Sequence, residues 1–326
     1  MLRNPAKLFG PQPLAAVTTV FAAGIIMPMI STGGQVTGQA SGARSASHAG
    51  VANGSVWATT LTGRKVLVPK PRFAPTPVRP EKVTHPKADT MGAVTAAHAP
   101  RARTVRIRNA AVAASAPPQL PGIDISAYQG NINWGSVAPY LDFSYAKATE
   151  GNYYKNPLFY NQYVGPYRHK LIRGAYHFAI PNNSSGQSQA DYFIKHGGGW
   201  SSDGWTLPGA LDIEYNPYGG ECYGLTDSQM KTWIQNFVKE YAYKEHVYPV
   251  IYTTTDWWRT CTGDATRFAK WDPLWIANYT ASHGGTLPHA WGFYTFWQYA
   301  DGGKLPGDQD VFNGAYKRLK ALAKSG

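Results

Sequence analysis

Two carboxylates stand two residues apart in the apolar run Gly209-Ala-Leu-Asp212-Ile-Glu214-Tyr215. In an extended strand alternate residues share a face, so Asp212 and Glu214 point one way and Leu211 and Ile213 the other. Desolvation and mutual repulsion of two such acids raise the pKa of one. The result is a proton donor beside an anion near neutral pH, the pairing that glycosidic bond cleavage requires. On a solvated edge strand the same two acids would do nothing. Two further segments decide between these readings: Gly122-Ile-Asp124-Ile-Ser126, and Asp308-Gln-Asp310-Val-Phe312-Asn-Gly. Each alone could cap a helix or close a turn. Acids at three strand ends on one face form a constellation.

Something must bring those ends together. Apolar, β-branched and aromatic runs recur at 122–126, 143–148, 174–179, 210–214, 248–254, 274–279, 293–299 and 309–312. Between several of them lie helical patterns. The clearest places Met230, Trp233, Ile234, Phe237, Val238 and Tyr241 on one stripe. Eight strands with alternating helices predict a short, TIM-like α/β barrel. The last connection departs from that plan, because only eight residues separate Tyr299 from Asp308. A parallel crossover needs about a dozen or more. The sequence therefore predicts a hairpin and an antiparallel last strand, which puts Asp308 at the barrel end where the earlier strands finish.

The charge is unevenly placed. Of 31 Lys and Arg, 14 precede Pro121, against only Glu81 and Asp89 of the 19 acids, so the remainder carries 17 of each sign and the first segment the whole net +12. Of 44 aromatic residues only Phe9, Phe21, Trp57 and Phe73 precede Pro121. A segment so poor in large apolar groups cannot offset the entropy of ordering its backbone, whereas 206 aromatic-rich residues can bury one core. This excludes a uniformly basic globular protein, a disulfide-stapled mini-protein and a polytopic membrane protein. Arg3 and Lys7 precede an apolar stretch at 14–30, followed by small residues through Ala40. The expected organisation is a signal peptide at 1–40, with an uncleaved anchor as the alternative, a disordered basic Pro/Ala-rich linker at 41–120, and a barrel at 121–326. Arg101, Arg103, Arg106 and Arg108 suit attraction to an anionic polymer. No aromatic residues are interleaved with them to stack bases, so nucleic acid is not expected as a partner. No metal-ligand or phosphate-cradling motif occurs, and His177 is expected to be a packed, hydrogen-bonded residue. Neither metal nor cofactor is expected.

The blocks Gly122-Ile-Asp124-Ile-Ser126, Lys147-Ala-Thr-Glu150-Gly, Gly174-Ala-Tyr176-His177-Phe178, Leu211-Asp212-Ile-Glu214, Trp297-Gln298-Tyr299 and Asp308-x-x-x-Phe312-Asn-Gly, in this order, resemble glycoside hydrolase family 25, the Chalaropsis-type lysozymes. The resemblance spans about 121–326. It implies an irregular β/α barrel that hydrolyses the β-1,4 bond between N-acetylmuramic acid and N-acetylglucosamine in peptidoglycan. It implies Glu214 as general acid, Asp212 as its partner, and Asp124 and Asp308 as the remaining acids. Asp310, where relatives often carry Asn, would be exchanged with Asp308 by a small error of register. A catalytically silent wall-binding barrel and a chitin-directed glycosidase are the alternatives. Tyr128, Tyr176, Tyr215 and Trp297 are candidates for sugar stacking. Cys222 and Cys261, the only cysteines, are expected to form one disulfide between loops beyond strand ends in a secreted, monomeric, wall-associated enzyme. The basic linker would hold an anionic wall polymer.

Overall fold

The computed structural model describes residues 55–59, 65–69, 91–93, 95, 118–280 and 283–326. The chain divides into two units, Met1–Arg72 and Phe73–Gly326. In the first, β1 (Ser55–Thr59) pairs antiparallel with β2 (Lys65–Pro69), Trp57 opposite Leu67. The sequence reading expected no element there. These two runs are short and isolated, but their Val, Trp and Thr residues favour extended backbone. The expected leader at 1–40 lies outside the described residues.

The second unit is built on a closed barrel. Its strands are β3 (Gln119–Ile125), β4 (Phe143–Glu150), β6 (Ile172–Phe178), β7 (Ala210–Asp212), β8 (Val250–Thr253), β9 (Leu274–Ala277), β10 (Phe296–Ala300) and β11 (Asp308–Asn313), while β5 (Tyr154–Lys155) only extends β4. Neighbouring strands are parallel from β3 round to β10; β11 runs antiparallel to both β10 and β3 and closes the ring. The α/β barrel and its reversed last strand are therefore as expected from the short final connection. In register, Asp308 faces Asp124 and Asp310 faces Gly122. Gly122 is obligatory there, since a Cβ would stand 2.2 Å from the Phe143 ring.

The helices are α1 (Trp134–Val137), α2 (Phe159–Arg168), α3 (Gly186–Phe193), α4 (Asp227–Glu245), α5 (Thr255–Thr262) and α6 (Tyr316–Ser325). A capping box of Thr226 and Gln229 starts α4, and its six-residue apolar stripe is buried throughout. Burying each such side chain contributes roughly 1.5–3 kcal/mol. Strand alternation sorts the apolar side chains into two layers. Leu211, Ile213, Ile251 and Ile276 face the helices with the α4 stripe. Phe143, Tyr145, Tyr176, Tyr252, Trp275 and Phe296 fill the barrel, and Leu319 and Ala323 of α6 join them at the end where the parallel strands begin. The opposite end is left to polar groups.

Candidate active site

The acids collect at the carboxyl end of the parallel strands. Asp124 is on β3, Glu150 ends β4, Asp212 ends β7 with Glu214 two residues on, and Asp308 and Asp310 open β11. All six are buried, and among the described residues Lys147 is the only buried Lys or Arg. Six carboxyls around one ammonium cannot all ionise in a low-dielectric interior, so several must keep their protons.

Lys147 chooses Glu150, at 2.6 Å. The two are three residues apart and would face opposite ways in a regular strand; a register shift between Lys147 and Thr149 brings both inward. Tyr153 and Tyr218 donate to the other oxygen of Glu150 at 2.8 and 2.7 Å. Burial pushes the Glu150 carboxyl up, but the Lys147 ammonium and these donors more than offset it, and its pKa lies below the ordinary value.

Glu214 is held differently. Burial raises its pKa to about 7, against the opposing effect of two donors, the Gly92 N–H at 2.6 Å to Oε1 and the Thr95 hydroxyl at 2.8 Å to Oε2. Asp212 has no hydrogen-bond partner on either oxygen among the described residues. Burial, then the charge of Glu214, push its pKa far up. The end of β7 and the residues after it thus present two carboxyls biased toward their acid forms, where the sequence predicted one raised acid beside an anion.

The third group is organised by Gln298. Its Nε2 donates to Asp124 at 2.7 Å and Asp308 at 3.3 Å, while its Oε1 accepts from Tyr252 at 2.7 Å and Tyr279 at 2.6 Å. Burial raises Asp124 to about 7, opposed by its bonds to Gln298 and Asp310. Asp308 and Asp310 share the inner face of β11, with Asp310 one layer deeper, where it accepts from Trp275 Nε1 at 2.9 Å. Burial, reinforced by the charges of Asp124 and Asp308, holds Asp310 well above the ordinary carboxyl range.

The aromatic candidates separate. Tyr176 is wholly buried in the barrel interior beneath the acids. Tyr215 and Trp297 face the helix layer, where Tyr215 donates to Asp256 and Trp297 Nε1 donates to the Asn278 carbonyl. Neither ring is presented to the acids, because the alternation that turns Asp212, Glu214 and Gln298 inward turns their odd-numbered neighbours outward. Tyr128, in the turn after β3, is half exposed. Beside Glu150 a hollow of about 560 Å³ is lined by Tyr153, Asn183, Asn216, Tyr218 and Tyr223 among others. His177 is buried and neutral, its pKa pushed down by burial to about 4, between Thr149 and Gln189. Cys222 and Cys261 are bonded, with Cα atoms 5.3 Å apart; Cys261 lies in α5 rather than in a loop.

Sequence reasoning passed over Lys147, Glu150 and Gln298 as site residues, although all three stand in the quoted blocks. Their polarity at positions that alternation makes internal was the available signal for Gln298. Met91, Gly92 and Thr95 carried none.

Residues 123–308 match the family described as glycosyl hydrolases family 25. The chain is 49% identical to Lysozyme M1 of Streptomyces globisporus over 212 residues, 63% of this chain and 72% of that protein. It is 44% identical to the N,O-diacetylmuramidase of Chalaropsis sp over 208 residues, 63% of this chain and 99% of that one. Among solved structures, the muramidase from Acremonium alcalophilum superposes with a TM-score of 0.62 at 54% identity, covering 64% of this chain and all of that chain. The barrel, its ring of buried carboxyls and these likenesses agree: the chain belongs to the glycosyl hydrolases family 25 and is a glycoside hydrolase.

Proposed function

We propose that the chain is a muramidase that hydrolyses the β-1,4 bond between N-acetylmuramic acid and N-acetylglucosamine in peptidoglycan, with Glu214 as general acid and Asp212 as its partner. The observation that carries the reading is this pair of buried carboxyls at one strand end, with Glu214 raised to about 7. Protonated Glu214 gives its proton to the glycosidic oxygen as the bond to C1 breaks. The muramic acid's own acetamide oxygen closes on C1, with Asp212 orienting the acetamide through a hydrogen bond accepted from its N–H. Water then opens the ring, and the Glu214 carboxylate takes a proton from it. Asp124 and Asp308 set the charge of the pocket, and Asp310 supports Asp124. The hollow beside Glu150, rimmed by Tyr153, Tyr218 and three asparagines, suits the neighbouring sugars, and Tyr128 stands at the same end.

The disulfide supports an oxidising, extracellular workplace, with residues 1–40 as leader, the basic linker at 41–120 meeting anionic wall polymer, and a monomeric barrel at 121–326. The test is clearing of purified cell walls with analysis of the reducing ends released. Muramic acid ends are expected, with kcat/KM falling as pH rises through about 7. Glu214→Gln is expected to lower kcat about 10²–10⁴-fold and to remove that basic limb. Glucosamine ends only, or full activity of the variant, would defeat the assignment.

A further inference from the structure

We propose that Met91, Gly92 and Thr95 form an intramolecular inhibitor seated on the Glu214 carboxylate, so that the full chain stays latent until this segment is displaced or severed from the barrel. What is inhibited rests on the muramidase reading; the fit itself does not.

The segment first occupies the proton donor. Both Glu214 oxygens accept from it, Oε1 from the Gly92 N–H at 2.6 Å and Oε2 from the Thr95 hydroxyl at 2.8 Å. A glycosidic oxygen must approach one of these oxygens to receive a proton. Two donors also favour the ionised carboxylate, the form with no proton to give. Blockage arises from these two bonds, which only partly oppose the rise that burial gives the Glu214 pKa.

The segment is also fitted to the mouth. Met91, although 123 positions from Glu214, is wholly buried in the apolar cluster that contains Tyr176, Tyr252 and Trp275. The Tyr279 hydroxyl lies 3.3 Å from the Gly92 carbonyl, which accepts from it. Gly92 has φ +78°, and a Cβ there would stand 2.2 Å from Tyr279 Oη, 2.5 Å from Gln298 Oε1 and 2.9 Å from Tyr252 Oη. Only glycine lets the backbone approach this closely. The contacts belong to the same residues that organise the acids, so the segment and a sugar compete for one surface.

Release is written into the covalent connection. Twenty-two residues, 96–117, join Thr95 to Pro118, and they include Arg101, Arg103, Arg106 and Arg108. A tethered segment acts at an effective concentration on the order of millimolar. One cut within 96–117 turns it into a free peptide that dilutes away.

The test compares the full chain with its Gly92→Leu variant, before and after a trypsin cut in 96–117 verified by mass. Amide exchange reads the seat without reference to activity: the Gly92 N–H is expected to be protected at least about 10²-fold in the uncut wild type. The 91–95 amides are expected to exchange freely in the variant. Activity on cell walls is expected to rise at least about tenfold on cutting the wild type or on Gly92→Leu, with cutting adding little to the variant. A peptide of residues 86–97 is expected to inhibit the cut enzyme, and its Gly92→Leu form not to. Free exchange of Gly92 in the uncut wild type would overturn the proposal, as would equal activity of cut and uncut wild type. If no form cleaves cell walls, the muramidase reading fails while the exchange result still decides the seat.

Discussion

Gln298 carries no charge, yet four groups of the site end on it: two carboxylates accept from its amide nitrogen and two phenols donate to its oxygen. An amide is the one neutral side chain that can donate two such bonds and accept two at once. Gln298→Leu would leave the buried Asp124 and Tyr252, and the half-buried Tyr279, without this partner. Each unsatisfied buried group costs about 1–3 kcal/mol, so the variant is expected to lose at least about 2 kcal/mol in urea denaturation. An unchanged midpoint would show that the network contributes nothing to stability. At this scale the sequence disclosed five of the acids and hid Gln298, together with Lys147 and Glu150. Asp and Glu in an apolar run announce themselves, whereas Gln298 sits between Trp297 and Tyr299, whose bulk invited the functional reading instead. Parity was available to correct it: with Asp212, Glu214 and Gln298 inward, Tyr215 and Trp297 had to face the helices.

Among elements, the loop after β7 and helix α5 depend on each other through Cys222–Cys261, which spans 39 residues and fastens the segment following Glu214. Chain entropy gives such a link about 4 kcal/mol. The Cys222→Ser, Cys261→Ser double variant is expected to unfold at a clearly lower temperature by calorimetry, with reductant shifting the wild type likewise. Coincident transitions would mean that the link constrains nothing. The strands and α4 were readable because their periodicities are local properties of the chain. The reversed β11 was readable because a connection of eight residues has few geometries. The shift that turns Glu150 inward was not, because a bulge is an agreement between two strands and neither β4 nor β6 encodes it alone. The seating of Gly92 was hidden for a similar reason, since its specificity resides in the atoms of Tyr279, Gln298 and Tyr252.

For the whole molecule, the buried acids make stability depend on pH. Folded Asp124 and Glu214 keep their protons to about 7, while their ordinary values are 3.8 and 4.5. Over that interval the folded state binds more protons than the unfolded chain. Their contribution is therefore complete below about pH 4 and is lost as pH rises through 7. Asp212 and Asp310 shift in the same direction. His177 opposes them: its folded pKa of about 4, against 6.5, favours folding increasingly as pH rises between those values. Several carboxyls outweigh one imidazole, so Tm is expected to fall by at least about 2 °C between pH 5 and 8 in a thermal scan. A Tm rising across that range would mean that the acids are ionised throughout.

The reversed strand also sets where this enzyme can be extended. Because β11 starts beside the acids and finishes at the other end, α6 and Gly326 come to rest near Val247, on the face where the parallel strands begin. A module fused after Gly326 would start from the side away from the carboxylates and leave the groove open to a large polymer. Cargo attached ahead of Gln119 would share its connection with the residues seated on Glu214. For immobilising the enzyme or equipping it with a binding domain, the two termini are not equivalent handles.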